Sequence, residues 1–278
     1  MDQLKVSHKT AVILTVFTAF LWSLAGLNMK MINWSSLAIA GGRSLLGAFF
    51  LLPILLKSGK LRINRYVMGG ALCYAGFNYC FIISTRLATS AIAVMMQYTS
   101  PIYVAILAWF LFGEKLTKRD YVALTAVMIG MIFFILDGGA GGSLLGKVVA
   151  AFNGFTFAGL SIFLRYQKDG NPVMSVFVGN IIGGIVGIPF MVKEGIPDGV
   201  SILYLLLAGF LFGLTYTVYA IASKSLSALE TVLIPVLDPV LNPVWVFLVL
   251  KEMPGVYTIA GAVLILLAII TRSLPVKE

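Results

Sequence analysis

A single carboxylate, Asp238, stands near the middle of a long apolar segment, in the run Ile-Pro-Val-Leu-Asp-Pro-Val-Leu-Asn-Pro at residues 234–243. An aspartate at the centre of a membrane-spanning helix costs roughly 3 kcal/mol. Each proline removes a backbone donor and frees a carbonyl, and such a broken helix is tolerated in a membrane where it lines a cavity. We therefore predict that Asp238 faces a cavity or its gate, where it could compensate a positive charge. A buried structural hydrogen bond is the alternative.

Two further charged residues fall within or at the edge of apolar segments. Arg43 lies seven residues into the second segment, where it could tie helices together or contact a bound ligand directly. Glu230 lies near the start of the ninth segment, where it is either a solvated charge at a helix end or part of a gate. We predict that both are gating or structural charges.

Aromatic side chains recur at mid-segment positions, away from the expected membrane surfaces. Aromatic rings bind apolar or cationic groups through stacking and cation–π contacts, worth about 0.5–2 kcal/mol each, and a glutamine amide adds hydrogen-bonding capacity. Together with Asp238, the following residues are predicted to line one substrate-binding cavity: Trp22, Tyr79, Gln97, Tyr98, Phe157 and Tyr216.

The chain contains two copies of one pattern, with equivalent positions 135 to 138 residues apart. The clearest equivalent pairs are Pro101 and Pro239, Glu114 and Glu252, Trp22 and Phe157, and Tyr79 and Tyr216. A site on the pseudo-twofold axis between the copies would be lined by such pairs. We assign residues 1–139 to the first copy and residues 140–278 to the second.

Composition places both copies in a membrane. Of the 278 residues, 60% are hydrophobic and 11% are charged, whereas a soluble domain carries roughly 25% charged residues. A helix of about 20 apolar residues crosses the ~30 Å hydrocarbon core. Ten such runs, five in each copy, are predicted at 10–29, 36–56, 66–85, 89–112, 119–136, 146–164, 173–192, 202–222, 227–250 and 255–272.

Five spans in each copy give the two copies opposite orientations in the membrane. The predicted fold is therefore an all-α integral membrane protein with ten transmembrane helices in two inverted five-helix repeats. Fourteen of the 20 Lys and Arg residues fall on one side, five on the other, and Arg43 lies inside a span. This asymmetry predicts a multi-pass protein of the cytoplasmic (inner) membrane with both termini in the cytoplasm. The net charge of +9 is then explained by loops that face anionic lipids, without a nucleic-acid partner.

Residue sets suited to catalysis or to metal binding are absent from the sequence. The single histidine, His8, precedes the first span, and no metalloprotease helix, phosphate-binding loop or Ser/His/Asp arrangement occurs in a suitable context. We therefore expect no enzyme activity, no cofactor and no metal site. Small residues at every fourth position of the seventh span predict close helix packing: Gly179, Gly183 and Gly187.

The chain resembles the drug/metabolite transporter superfamily of the EamA type along essentially its whole length. The motifs that carry the resemblance are residues 98–101, residues 113–117, residues 238–245, Glu252, Trp22 and Arg43. The resemblance implies that helices one to four and six to nine surround a central cavity, while helices five and ten pack at the periphery. The chain departs from the family pattern at Asp238, where many relatives carry Glu, and at Phe157, where an aromatic cage would be thinner than with Trp.

Inverted repeats are typical of alternating-access carriers, whose substrate site lies at the seam near the bilayer midplane. We expect a secondary transporter of a small amine-bearing metabolite, either an amino acid or an organic cation. The alternatives are a carrier of another small metabolite, such as a nucleotide sugar or a neutral aromatic compound, and a channel or lipid scramblase. The expected partners are the small-molecule substrate, membrane lipids, and either a coupling proton or none.

Overall fold

The computed structural model describes residues 6–29, 31–57, 62–88, 93, 96–138, 143–250 and 255–273. The boundary expected at residues 139–140 and the motif residue Glu252 lie outside these ranges. Within them the long helices are α1 (His8–Met29), α2 (Ser36–Lys57), α3 (Arg65–Leu87), α4 (Ser100–Phe112), α5 (Lys118–Gly138), α6 (Leu144–Tyr166), α7 (Val173–Glu194), α8 (Gly199–Ala222), α9 in two segments, α9a (Ala228–Leu233) and α9b (Leu237–Leu250), and α10 (Val256–Ser273).

Length and apolarity alone qualify α2, α3, α6, α7 and α8 as membrane spans, while α4 and α10 are apolar but shorter. Large apolar side chains such as Phe49, Phe110 and Val192 are exposed on the helix surfaces. Apolar side chains are expected on the outside where the surroundings are lipid. A helix is suited to those surroundings because its backbone hydrogen bonds are made within the helix. The prediction of an all-α membrane fold is confirmed.

Polar side chains at the ends of spans start several of these helices. The side chains of Asn64 and Ser143 accept hydrogen bonds from the first backbone N–H groups of α3 and α6. Asp198 does the same for α8, where the N–H and hydroxyl of Ser201 both donate to its carboxylate. These hydrogen bonds hold the pKa of Asp198 below its ordinary value. Each cap satisfies donors that a helix start would otherwise leave unpaired.

The helices pack in pairs that the sequence repeat relates to one another. Helix α3 packs against α6 and α7, and its equivalent α8 packs against α1 and α2. Helix α4 contacts α6, and its equivalent α9 contacts α1. The equivalent helices α5 and α10 pack against each other. The same contacts therefore recur when each helix is exchanged for its counterpart, as a twofold axis between the repeats requires.

The contact between α2 and α7 gives the direction of that axis. A Cβ atom on Gly41 would lie 2.5 Å from the Cα of Gly187, and one on Gly47 would lie 3.3 Å from the Oδ1 of Asn180. Residue numbers rise along α2 as they fall along α7, so these two equivalent helices are antiparallel. A twofold axis in the membrane plane produces this arrangement, and the prediction of inverted repeats is confirmed.

The glycines of α7 allow this close approach. Gly187 faces Gly41, Gly183 faces Ser44, and Gly179 faces Tyr74 and Ala71. At Gly179 and Gly187 an added Cβ would come within 3.0 Å of the neighbouring helix, and at Gly183 it would lie 3.1 Å from the Ser44 hydroxyl. The packing role predicted for these three residues is confirmed.

The fourth and ninth spans are both interrupted at repeat-equivalent positions, the fourth just before α4 begins. In α9, a turn of 3-10 helix at Ile234–Val236 separates α9a from α9b. Before α4, residues 96–97 are helical and residues 98–99 form a turn, with the N–H of Thr99 donating to the carbonyl of Met96 at 3.2 Å. The prolines of α9 predicted its interruption. The spans expected at 89–112 and 227–250 are therefore each broken near the middle.

Candidate functional site

An aromatic cluster lies between α1, α6 and α8, and consists of Trp22, Phe157, Tyr216 and Tyr219. The Trp22 ring centroid lies 4.8 Å from that of Tyr216, 5.5 Å from that of Tyr219 and 6.3 Å from that of Phe157. Its indole N–H donates to the hydroxyl of Thr215 at 3.0 Å. Trp22 is partly exposed, whereas Phe157, Tyr216 and Tyr219 are buried. Three of the predicted pocket residues thus meet at the seam between the repeats.

The cluster is joined to the interruption of α9 through Tyr219. The Tyr219 hydroxyl lies 3.0 Å from the carbonyl oxygen of Thr231 and 2.9 Å from the hydroxyl of Ser161. In a regular helix the N–H of residue 235 would donate to that carbonyl, but Pro235 has no N–H. The hydroxyl of Tyr219 therefore satisfies a carbonyl that the proline leaves without its helical donor.

Asp238 joins the interruptions of the two repeats. The Tyr98 hydroxyl donates to the Oδ2 atom of Asp238 at 2.9 Å, so the turn before α4 is bonded to the first turn of α9b. Tyr98 is buried and Asp238 is partly exposed. An ionised carboxylate accepts about four hydrogen bonds, which leaves Asp238 able to accept further bonds from a ligand. Ser100 is the equivalent of Asp238 in the first repeat, and its buried hydroxyl has no hydrogen-bond partner among the described residues.

Gln97 lies at the interruption before α4 and faces α6. The Nδ2 atom of Asn153 donates to its Oε1 atom at 3.4 Å, and both side chains are buried. A Cβ atom on Gly154 would lie 2.4 Å from the carbonyl oxygen of Met96, so the backbone of α6 rests directly on this turn. Gln97 therefore adds a polar group at the same interruption as Tyr98.

Arg43 bridges three helices. Its Nη2 atom donates to the Oδ1 atom of Asn78 at 3.1 Å, and its guanidinium lies 4.1 Å from the ring centroid of Phe212. The Nδ2 atom of Asn78 in turn donates to the backbone carbonyl of Tyr74 at 2.9 Å. Arg43 is 7% exposed. Arg43 therefore ties α2, α3 and α8 together, which is one of the two roles that its position in the sequence allowed.

Tyr79 lies apart from the aromatic cluster. Its hydroxyl donates to the carbonyl oxygen of Gly183 at 2.7 Å, and a Cβ atom on Gly187 would lie 3.0 Å from that hydroxyl. Tyr79 is thus held between α3 and α7, whereas its repeat equivalent Tyr216 stacks beside Trp22. Among the ring contacts of the described residues, none joins Tyr79 to the cluster.

Glu230 stands at the start of α9a and belongs to a network of side chains from four helices. It forms a capping box with Ser227, and its Oε1 atom lies 3.0 Å from the Nε2 of His8 and 3.5 Å from the Nη1 of Arg272. Arg272 also binds Asp120. The start of α1 and the end of α10 therefore meet at one end of the bundle.

Several residues beside the cluster were not expected from the sequence. Phe77 stacks on Phe157 with centroids 4.9 Å apart, and Tyr74 meets Tyr216 edge-on at 4.8 Å. The missed residues are Tyr74, Phe77, Asn78, Asn180, Phe212 and Thr215. A signal existed for one pair, because Asn78 and Thr215 are repeat equivalents. Each accepts a hydrogen bond from a residue that the sequence had indicated, Arg43 or Trp22.

Comparison of the sequence with known proteins finds transporters. The profile described as the EamA-like transporter family matches residues 9–136 and 144–273. A protein of Bacillus subtilis named "Uncharacterized transporter YyaM" is 27% identical over 285 residues, covering 93% of this chain and 90% of that protein. The "Pseudopaline exporter CntI" of Pseudomonas aeruginosa is 24% identical over 278 residues, covering 95% of this chain and 96% of that protein.

A solved structure has the same fold. A crystal structure titled only as that of a protein superposes with a TM-score of 0.81, at 18% sequence identity. The match covers 95% of this chain and 96% of the other. It therefore extends over both five-helix repeats.

Proposed function

We propose that this chain, which belongs to the EamA-like transporter family, carries a small amine-bearing metabolite across the cytoplasmic membrane by alternating access. The substrate class is an amino acid or an organic cation. We place the boundary between the two units at residues 139–140, between the two matched segments. The Pseudomonas relative is named an exporter, which supports a carrier rather than a channel or scramblase.

The hydrogen bond between Tyr98 and Asp238 is the observation on which the proposal rests. It places a partly exposed carboxylate at the point where the interrupted helices of both repeats meet. An acid at this depth is costly unless it has a cationic or hydrogen-bonding partner. An ammonium group of the substrate supplies such a partner, with the Tyr98 hydroxyl holding the carboxylate in position.

The aromatic cluster provides the second part of the proposed site. Trp22 is its partly exposed member, while the rings of Phe157 and Tyr216 pack around it. A substrate that enters at Asp238 would exchange some of these ring contacts for stacking or cation–π contacts of its own. Gln97 adds a polar side chain beside Tyr98. We propose no resident cofactor or metal for this transport, and either a coupling proton or none.

Two ion-paired contacts at one end of the bundle form the proposed inner gate. Glu230 holds His8 and Arg272, as described above, and Arg165 donates to Glu114 at 3.0 Å, which ties α4 to α6. A cavity of about 340 Å³ lies at this end, with Arg165 and Glu230 in its wall. We assign this end to the cytoplasm, since it holds the start of α1 and the end of α10. Opening toward the cytoplasm would then separate both contacts.

Asp238→Asn tests the proposal, because it removes the charge and keeps the shape. We expect ligands with an amine to bind more weakly by about 1.5–3 kcal/mol, the value of a hydrogen bond to a charged group. Tyr98→Phe should have a smaller effect in the same direction, since it removes only the hydroxyl that positions the carboxylate. Binding would be measured on purified protein by thermal shift, and transport by counterflow in proteoliposomes.

Glu194→Gln is the matched control, because Glu194 is an exposed acid at the end of α7. It should bind and exchange the same ligands as the unaltered protein. Unchanged affinity in a folded Asp238→Asn protein would show that Asp238 is structural and would remove the basis for an amine-bearing substrate.

A further inference from the structure

The cavity beside the proposed inner gate has a wall made mostly of charged side chains. Its volume of about 340 Å³ is within the ~300–1,000 Å³ usual for small-molecule sites. Three cations and one histidine share the wall with two acids, so its net charge is positive even when the histidine is neutral. These residues are His8, Arg165, Lys168, Asp169, Lys224 and Glu230.

Three of these six residues are already bound to partners. The Nε and Nη2 atoms of Arg165 donate to the Oε1 atom of Glu114 at 3.3 and 3.0 Å. Glu230 takes part in the capping box of α9a, and its Oε1 atom lies within 3.5 Å of His8 and Arg272. The remaining charges in the wall are two lysine ammonium groups and one aspartate.

Lys224 is the buried cation of this wall. It lies in the turn of 3-10 helix that follows α8 and is 8% exposed. Its Nζ atom donates to the backbone carbonyl of Gly170 at 3.1 Å, and no ion pair among the described residues includes it. An ammonium group has three donors, so two remain for another acceptor. A buried charge without a counter-ion is costly, and an anion in the cavity would supply one.

Lys168 brings a second ammonium group from the turn that ends α6. It is exposed, and within the described part of the chain no ion pair contains it. The turn that carries it is fixed to the other lysine, because Gly170 accepts the hydrogen bond of Lys224. Asp169 lies between them in the chain and is an exposed acid. One carboxylate does not balance two ammonium groups, so this side of the cavity keeps a positive charge.

We propose that this cavity binds an anion that carries a phosphate group, with Lys168 and Lys224 as its donors. Lysine binds phosphate as a point charge, whereas a carboxylate is matched best by the fork of an arginine. The fork of Arg165 is already directed to Glu114, which leaves the lysines. The oxygens of one phosphate group can accept from both. This inference goes beyond the proposed function, because the anion is not the transported amine and its site does not include Asp238.

Two sources supply a phosphate group at this end of the bundle, which we assign to the cytoplasm. One is free phosphate in solution, and the other is the headgroup of an anionic lipid in the adjacent leaflet. Both present the same oxygens to the lysines. Inorganic phosphate is the probe for the first source. Dioctanoyl phosphatidylglycerol in detergent is the probe for the second, with dioctanoylglycerol as its control without phosphate.

Binding is first measured by thermal shift on the unaltered protein in detergent. Either probe, if it binds, should raise the melting temperature in a saturable way, whereas sodium chloride at the same ionic strength should not. In Lys224→Gln the apparent Kd of the probe should rise about tenfold to hundredfold, because a charged donor is lost. In Lys168→Gln, which changes an exposed residue and should fold, it should rise about threefold to tenfold.

Lys118→Gln is the matched control for both changes. Lys118 is an exposed lysine at the start of α5, at the same end of the bundle but outside the wall of the cavity. Its replacement removes the same charge and should leave the apparent Kd unchanged. An equal loss of affinity in Lys118→Gln and Lys168→Gln would mean that the anion responds only to the overall charge, and would overturn the site.

Thiol labelling then tests whether the anion lies in the cavity. Asp169→Cys, in a protein with Cys73 and Cys80 replaced by Ala, places a thiol in the wall. A neutral maleimide should label it more slowly when the probe is present, because the bound anion blocks its approach. Protection by inorganic phosphate alone identifies a free anion, protection by the lipid alone identifies a headgroup, and protection by both supports the phosphate group as the common feature.

Three results would overturn the proposal. They are protection by neither probe, equal protection by sodium chloride, and unchanged affinity in folded Lys168→Gln and Lys224→Gln. Asp238→Asn separates this site from the amine site, since it should leave phosphate binding unchanged whatever its effect on amines. Phosphate binding that disappears in Asp238→Asn would place the anion in the transport site and remove the separate site at the cavity.

Discussion

At the scale of single residues, Pro235 has its main effect on a residue four positions earlier. It leaves the carbonyl of Thr231 without its helical donor, and Tyr219, from α8, donates to that carbonyl instead. The hydroxyl thus couples the aromatic cluster to the interruption of α9. A buried carbonyl without a donor is costly, so the proline and the tyrosine depend on each other.

This dependence predicts a measurable coupling. Tyr219→Phe alone should lower the free energy of unfolding by about 1–3 kcal/mol, because the carbonyl of Thr231 is left without a donor. In a Pro235→Ala background the restored N–H can donate to that carbonyl, so the same change should cost at least about 1 kcal/mol less. Unfolding of all four proteins in detergent would complete the cycle. Equal costs in both backgrounds would mean that the proline and the tyrosine act independently.

At the scale of helices, the sequence was sufficient to predict the spans and one of the two interruptions. Three prolines within residues 235–243 predicted the break in α9. The equivalent break before α4 was not foreseen, because the expected span 89–112 contains a single proline, Pro101, and one proline can kink a helix without dividing it. The turn at residues 98–99 becomes evident only where α6 packs on it at Gly154.

The candidate site was also predictable only in part, because contacts between helices determine it. Repeat equivalence correctly brought Trp22 together with Phe157 and Tyr216. It treated Tyr79 and Tyr216 as a pair, but α7 presents glycines beside Tyr79 and so leaves space for its hydroxyl to reach the Gly183 carbonyl. Packing between helices of different repeats determines where such side chains lie, and the residue pattern of a single segment cannot predict it.

Packing of α2 against α7 gives a prediction at the same scale. Gly187→Ala should destabilise the protein by about 1–3 kcal/mol, the usual cost of overpacking, because the new Cβ would lie 2.2 Å from the Cα of Gly41. Gly199→Ala is the control, since no atom lies within 4 Å of its Cβ position. A lowered melting temperature is expected for the first variant only. A loss of stability of equal size in both would exclude the close helix contact as its cause.

At the scale of the whole molecule, charged contacts collect at one end of the bundle. His8, Asp120, Glu230 and Arg272 join helices α1, α5, α9a and α10 there. The start of α1 and the end of α10 are consequently close together. Short loops rich in Lys and Arg remain on the cytoplasmic side of membranes, so the excess of fourteen cations over five in the sequence predicts that the end holding the start of α1 faces the cytoplasm.

Labelling of introduced cysteines tests this orientation. In a protein with Cys73 and Cys80 replaced by Ala, Ile63→Cys precedes α3 and Ile196→Cys follows α7, and both positions are exposed. A membrane-impermeant thiol reagent applied to intact cells should label position 196 and should reach position 63 only after the membrane is opened. Labelling of both positions from the same side would contradict the inverted arrangement, and a reversed result would place the termini outside.

The antiparallel contact between α2 and α7 also bears on how such a chain could arise. These helices are equivalent in the two repeats, so a single unduplicated unit would make the same contact only with a second molecule inserted in the opposite direction. An ancestor of this kind needs nearly balanced charge at its two ends, because a strong excess of cations would fix a single orientation. Joining two such units in one chain removes that constraint. The loop after the fourth span now carries Lys115, Lys118 and Arg119, whereas its counterpart carries Lys251 alone. This difference between the two loops is the one expected if they face opposite sides of the membrane.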